Sequence, residues 1–391
     1  MSAITLANPV VPPAYCAVSD SAAVLTFSCC PLLKKIFTAF CNGLQRLMDY
    51  IRSVLGYPPR VLTAEYRENR IRHGAENISA RLAKELAYAQ QQMQAEPAKA
   101  FRYRHAPANF PTHEEHVGNY RVGVCHFQGR RANMEDEHLA TAFSVNINGT
   151  IYPVTLFGIF DGHGCNAAAR YIKKHFAQKL NQALVEFNPR GLHDEGVWNA
   201  LKMTCVRLHR DYCIRYRSNR PDPRFDISFH AGTTAAVAMI LNGKLWTANV
   251  GDSGIALDRG PNHSPLRLTW DQKPEDPRIQ PGIEHRGGQV IWNGVYRING
   301  DLGCGRSIGD NRLEGANSAR PKITAVPLSE IPPHSTLYIY CDGLSDVTST
   351  YQLCQARHPG LSPAQHTGNC VYSAWAAGSQ DNISLLTIPI S

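Results

Sequence analysis

Five aspartates occupy similar settings along this chain of 391 residues. They are Asp136 at the end of Arg131-Ala-Asn-Met-Glu-Asp, Asp161 in Phe-Asp-Gly-His-Gly, Asp252 in Val-Gly-Asp-Ser, Asp342 in Tyr-Cys-Asp-Gly and Asp381 in Gln-Asp-Asn. Each is expected to follow or end a short apolar run with the composition of a β-strand. Carboxylates at strand ends can converge on one rim of a sheet. With hardly any lysine expected beside them, such a cluster is costly unless cations sit among the oxygens. Oxygen-only ligation selects Mg or Mn over Zn or Cu. Gly162, directly after Asp161, lets the backbone turn tightly, and its carbonyl can join Asp161 in meeting a metal. His163 then stands just outside the ligands.

The elements that would position these residues are legible from Tyr120 onward. Strands are expected at Arg121–Phe127, Leu139–Val145, Val154–Phe160, Thr233–Leu241, Lys244–Val250, Thr336–Cys341 and Ile383–Ile390, all rich in β-branched and aromatic residues. Asn148-Gly149 and Asn242-Gly243 read as tight hairpin turns. Helical stretches fall at about 165–187, 196–217 and 363–377. Antiparallel strands interrupted by helix pairs predict an α+β fold, two sheets with helices outside them, rather than a parallel βαβ fold.

Before Tyr120 the composition changes. Residues 1–31 are nearly uncharged and read as a flexible lead. Residues 32–110 read as a helical N-terminal extension and linker, and 111–391 as the main domain. Within the extension, Leu32–Leu55 has apolar residues at helical spacing with Lys34, Lys35, Arg46 and Arg52 as a basic side. That pattern admits docking on a membrane surface or in a partner's groove, or packing on a second helix at 63–96 as a hairpin.

The ordered set of motifs resembles the metal-dependent Ser/Thr protein phosphatases of the protein phosphatase 2C (PPM) family. The resemblance runs from about Gly118 to the C-terminus. It includes Gln128-Gly-Arg-Arg131 with Met134-Glu135-Asp136, Phe160-Asp161-Gly162-His163-Gly164, Gly232-Thr-Thr-Ala235 and Ala248-Asn-Val-Gly-Asp252-Ser253. Gly287-Gly288, Arg306-Ser-Ile-Gly-Asp310, Cys341-Asp342-Gly-Leu-Ser-Asp346-Val347 and Asp381-Asn382 complete it. It implies a four-layer αββα sandwich of two antiparallel sheets, with two Mn or Mg ions at one end. Asp161 would bridge both ions. Asp342 and Asp381 would hold one and the Gly162 carbonyl the other, while Glu135 and Asp136 would act directly or through water. Arg131 matches the family's phosphate-binding arginine, and Asp252 and Asp346 the positions that complete a weaker third metal site with Asp342. Cys165, Gly254, Gln272 and Ser345 depart from the usual residues at their positions. They bear on substrate preference and the third metal site rather than on the core chemistry.

The chemistry agrees with that assignment. A phosphate monoester is dianionic and repels hydroxide. Two cations neutralise it and make a nucleophile of a bridging water near neutral pH. Arg131 can grip two phosphoryl oxygens in a bidentate fork. His163 is expected as general acid for the leaving alkoxide, or as a residue that orients metal-bound water.

Two rival readings exist. Cys125 and Arg131 have the Cys-x5-Arg spacing of cysteine-dependent phosphatases, but Cys125 falls inside a strand pattern rather than at a helix N-terminus. A partner-binding pseudophosphatase would normally have lost a ligand, and every ligand position here is filled. The +8 charge is too weak to predict nucleic-acid binding, and a phosphoprotein substrate and a monomer are expected. The 12 cysteines lack a Cys-x-x-Cys pair, which argues against structural zinc; scattered, and several in apolar runs (Cys125, Cys341), they predict a reducing, cytoplasmic setting, with peripheral membrane association through Leu32–Leu55 as the alternative location.

Overall fold

The computed structural model describes residues 64–217, 227–313, 315–358 and 360–390. The segment Leu32–Leu55 lies outside the described residues. By contacts the chain divides into Met1–Asn69 and Arg70–Ser391, and every described strand belongs to the second unit.

Two antiparallel sheets form the centre of that unit. One has the order β1 (Thr112–Val117), β2 (Tyr120–Phe127), β16 (Ile383–Ile390), β15 (Ser335–Tyr340), β9 (Gly254–Asp258), β10 (Leu266–Arg267). The other runs β14 (Lys322–Pro327), β8 (Lys244–Val250), β7 (Ala235–Leu241), β4 (Thr150–Phe160), β3 (Glu137–Ile147). The two expected hairpin turns are present. Asn148 and Gly149 both have positive φ (51° and 84°), as do Asn242 and Gly243 (48° and 71°), the geometry in which asparagine and glycine are favoured.

The apolar runs lack clean alternation because both faces of each sheet are covered. Phe157 and Ile159 of β4 point between the sheets and meet Val124, Leu337 and Leu386. Their neighbours Leu156 and Phe160 point the other way, onto Ile172, Phe176 and Leu180 of helix α2 (Ala167–Phe187) and Leu201 and Leu208 of α3 (Asp194–Arg217). On the far side, Cys125, Tyr338 and Leu385 receive Cys370, Val371 and Ala374 of α4 (Pro363–Ala376). The αββα sandwich expected from the sequence is the architecture found. Ser362 caps α4 by accepting a hydrogen bond from the Gln365 amide, in a reciprocal capping box ahead of Pro363.

The expected boundary at residue 110 is not where the contacts divide the chain. The helix at Ala64–Ala95 lies close to the expected 63–96, but its second half buries Ile78, Leu82, Ala89 and Met93. Ile78 and Leu82 join the same core cluster as Leu156 and Phe160, and Ala89 joins a separate cluster around Trp270. Phe101 in the following segment is buried against Tyr340 and Leu353. Glu85, from the same helix, accepts hydrogen bonds from Trp270 Nε1 (3.2 Å) and Arg278 (3.0 Å) and lies 3.2 Å from Lys322 Nζ. A polar composition suggests an independent extension. The few apolar residues, at helical spacing, are enough to fix it to the sandwich.

β1 has no strand-like signal in the sequence, since Thr-His-Glu-Glu-His-Val is mostly charged. It is an edge strand, where charge discourages pairing with other chains.

Candidate active site

Asp161, Asp252 and Asp342 each follow the C-terminal end of a strand: β4, β8 after Gly251, and β15 after Cys341. Asp136 and Asp381 instead lie just before strands, β3 and β16, which corrects the expectation that every aspartate follows one. They reach the same rim because the pairing is antiparallel. Glu137 stands opposite Phe160, so the start of β3 lies beside the end of β4. Leu385 stands opposite Tyr340 in the same way. A cleft of about 580 Å3 opens there, with Arg131, Asp161, His163, Asp342 and Asp381 in its wall. Gly162, Asp252 and Asp346 border it too, whereas Asp136 lies buried behind them.

The backbone around Asp161 is fixed from both sides. Its carbonyl accepts from the Thr234 amide (2.9 Å) and the Thr233 hydroxyl (3.0 Å), and its own amide donates to Thr234 Oγ1 (3.1 Å). Gly162 has no room for a side chain, since a Cβ would lie 2.3 Å from the Glu135 carbonyl oxygen. Glu135 thus meets the site through its backbone, and its amide donates to Asn382 Oδ1 (2.9 Å). The Asn382 amide group donates to the carbonyls of Gln128 and Asn133 (both 2.9 Å), binding the arginine loop to the strand that starts beside Asp381. Arg131 Nε lies 2.9 Å from Asp381 Oδ1.

The carboxylates raise one another's pKa. Burial, then the charges of Asp342, Asp136 and Asp252, hold Asp161 well above the ordinary carboxylate range. Asp342 is pushed to about 8 by burial and the Asp252 charge, with Lys273 opposing. Asp136 rises to about 6, mainly from burial, although hydrogen bonds from Ser384 and Cys341 pull it down. Asp346 is raised by burial as well. Crowded hard-oxygen donors of this kind fit divalent Mg or Mn, whose charge removes the repulsion.

One expectation fails here. A lysine does enter the cluster: Lys273 Nζ lies 2.6 Å from Asp252 Oδ2, and that charge, together with Asp342, raises the lysine's pKa well above its usual value despite burial. Proximity in space between β8 and a distant loop decided this, and nothing local signalled it.

His163 is set by a short three-stranded ladder of β5 (Gly162–His163), β6 (Gly232–Thr233) and β13 (Ile308–Gly309). The ladder delivers Asp310, whose two carboxylate oxygens lie 3.0 and 2.9 Å from His163 Nε2. Asp310 is fully buried, accepts a hydrogen bond from the Ser307 hydroxyl and lies 3.4 Å from the Arg312 guanidinium. Burial alone would lower the histidine pKa, but the Asp310 charge and hydrogen bond outweigh it and raise it. In the sequence Asp310 stands inside a motif without a role. Asn382 is likewise visible there only as a motif member.

Two departures from the family pattern have local causes. A Cβ at Gly254 would lie 2.3 Å from the Tyr340 ring, which fills that space. Gln272 is buried, donating to the Asn249 carbonyl (2.9 Å) and accepting from the Gly251 amide (3.3 Å), so it holds the turn that presents Asp252. Cys125 is buried within β2, donates to the Pro111 carbonyl, and has its thiol pushed up to about 12 by burial, which leaves no thiolate nucleophile there.

An antiparallel αββα sandwich with acidic residues gathered at one rim defines the class. A family model described as "Protein phosphatase 2C" matches residues 120–383, and the chain belongs to the protein phosphatase 2C family. It is 29% identical over 271 residues to "Probable protein phosphatase 2C 7" of Oryza sativa subsp. japonica, covering 69% of this chain and 66% of that one. With "Probable protein phosphatase 2C 76" of Arabidopsis thaliana it shares 27%, covering 69% and 59%. The matched stretch is thus less than two thirds of the length of either relative, 66% of one and 59% of the other. Among solved structures, serine-threonine phosphatase 2C from Toxoplasma gondii superposes with a TM-score of 0.54 at 21% identity, covering 76% of this chain and all of that one. A C. elegans sex-determining protein gives 0.56 at 24%, covering 70% and 66%. Both likenesses concern the fold.

Proposed function

We propose that the protein is a metal-dependent Ser/Thr phosphatase that hydrolyses phosphoserine and phosphothreonine in proteins. The observation that carries this reading is the joint presence of Asp161, Asp342 and Asp381 in one cleft wall with Arg131 and His163. Two Mg or Mn ions would be held by Asp161, Asp342, Asp381 and the Gly162 carbonyl, with Asp136 and Glu135 behind them. When bound, they supply charge neutralisation and a water acidic enough to ionise near neutral pH.

The chain's own residues do the rest. Arg131 is about half exposed and paired with Asp381, so its guanidinium can exchange that partner for phosphoryl oxygens. His163, with Nε2 held by Asp310, has Nδ1 as its remaining nitrogen. The raised pKa keeps a proton on the ring for the leaving serine or threonine oxygen. Asp252 is paired with Lys273, so a third cation beside Asp252, Asp342 and Asp346 would have to displace that lysine, in keeping with a weaker site. Cys125, Cys205, Cys304, Cys341, Cys354 and Cys370 are buried thiols outside any disulfide, in keeping with a reducing, cytoplasmic setting. Among the described residues no helix is long and apolar enough to cross a membrane, and docking through Leu32–Leu55 stays a proposal from sequence.

Hydrolysis of a phosphothreonine peptide by full-length protein tests this reading. Mn-dependent turnover, abolished by EDTA and by Asp342→Asn, is expected. Absence of turnover in folded wild-type protein supplied with Mn or Mg, or near-normal rates in the variant, would refute it.

A further inference from the structure

Where the two sheets meet at one edge, three side chains gather outside the acidic cleft. His113 and Glu115 alternate along one face of the edge strand β1, and His138 is the second residue of β3 in the other sheet. His113 Nε2 lies 3.2 Å, and His138 Nε2 3.0 Å, from the same oxygen, Glu115 Oε1. All three ligand atoms fall within 4.8 Å of one another. The His113 side chain is 57% exposed and that of His138 15%, so solvent reaches the trio from one side.

A chain of hydrogen bonds orients His138 toward that point. It starts at Ser384, whose Oγ donates to Asp136 Oδ2 at 2.6 Å. The Ser384 oxygen is then the acceptor for His126 Nδ1 at 2.7 Å. Burial holds His126 neutral, with a pKa near 3, so its Nε2 carries a lone pair and takes the proton of His138 Nδ1 at 2.6 Å. His138 Nε2 then faces Glu115 Oε1 at 3.0 Å, a gap that either a proton or a metal ion can occupy, and His113 Nε2 brings a third donor atom to the same oxygen at 3.2 Å.

We propose that His113, Glu115 and His138 form a binding site for a borderline transition-metal ion of the Zn type, separate from the oxygen-lined cleft. Two imidazoles and one carboxylate are a zinc donor set, with a fourth position left to solvent. Bonds of about 2.0–2.1 Å in a tetrahedron separate ligand atoms by about 3.3 Å, close to the two histidine–carboxylate distances of 3.2 and 3.0 Å. The His126 ring fixes the tautomer and orientation of His138, as outer partners of zinc-binding histidines do. An ion here would join β1 of one sheet to β3 of the other. The site does not depend on the phosphatase reading.

The test uses full-length protein in excess Mg, which fills oxygen sites, titrated with Co as a visible stand-in for Zn. One Co per chain is expected, with the strong visible absorption of a low-coordinate nitrogen–oxygen site, and one equivalent of Zn should displace it. Folded His113→Ala and Glu115→Gln proteins, verified by circular dichroism, should bind more than about tenfold more weakly. Asp342→Asn should bind as wild type. No absorption in wild type, or unchanged Zn affinity in both folded variants, would overturn the site and leave the trio as an ion-paired network.

Discussion

At the scale of the residue, the pairing of His163 with Asp310 would set the proton chemistry of the proposed reaction. The carboxylate stabilises the imidazolium, so the histidine stays protonated to higher pH than it would alone. Asp310 is itself held below its usual range: burial opposes ionisation, but the charge and hydrogen bond of His163, with the Ser307 bond, outweigh it. Replacing Asp310 by Asn removes the raising charge, and the histidine pKa falls. An enzyme that needs the protonated ring then loses rate earlier as pH rises. The alkaline limb of the kcat–pH profile in Asp310→Asn should move to lower pH, with a loss at pH 8 several-fold greater than at pH 6. An unmoved limb would show that His163 only orients its surroundings.

At the scale of the element, the helix Ala64–Ala95 is fixed by charge as well as by apolar contact. Glu85 is largely buried and faces Arg278, Lys322 and the Trp270 indole, while the Arg278 guanidinium lies 3.9 Å from the Tyr88 ring centre. Glu85→Gln keeps the shape and removes the charge, leaving two cations without their carboxylate. We expect a loss of about 1–3 kcal/mol, read as a lower denaturant midpoint at unchanged slope. A midpoint equal to wild type would place the helix's anchoring in its apolar face alone.

At the scale of the whole molecule, residues 70–110 belong to the same compact unit as the acidic rim. Ile78, Leu82, Met93 and Phe101 each contribute about 2 kcal/mol by burial, an upper estimate, against a typical net stability of about 5–15 kcal/mol. A chain starting at Ala64 should unfold cooperatively near the full-length midpoint. One starting at Pro111 should be largely unfolded or aggregated at 25 °C, as seen by circular dichroism and size-exclusion chromatography. A well-folded, active chain from Pro111 would contradict the packing of that helix.

The sequence by itself determined the long apolar strands, the two Asn-Gly turns, the three main helices after Tyr120 and the aspartates that gather at one rim. Each rests on local chemistry: side-chain shape, backbone preference or the short run around one aspartate. Proximity between distant segments was decided only by the tertiary structure. It brought Asp310 to His163, Lys273 to Asp252 and Asn382 to the arginine loop, and it attached a polar helix to the core. It also made a strand of a charged segment and set His113 and Glu115 beside His138. These contacts join residues on different strands and loops, and their energy exists only once the chain has closed around them.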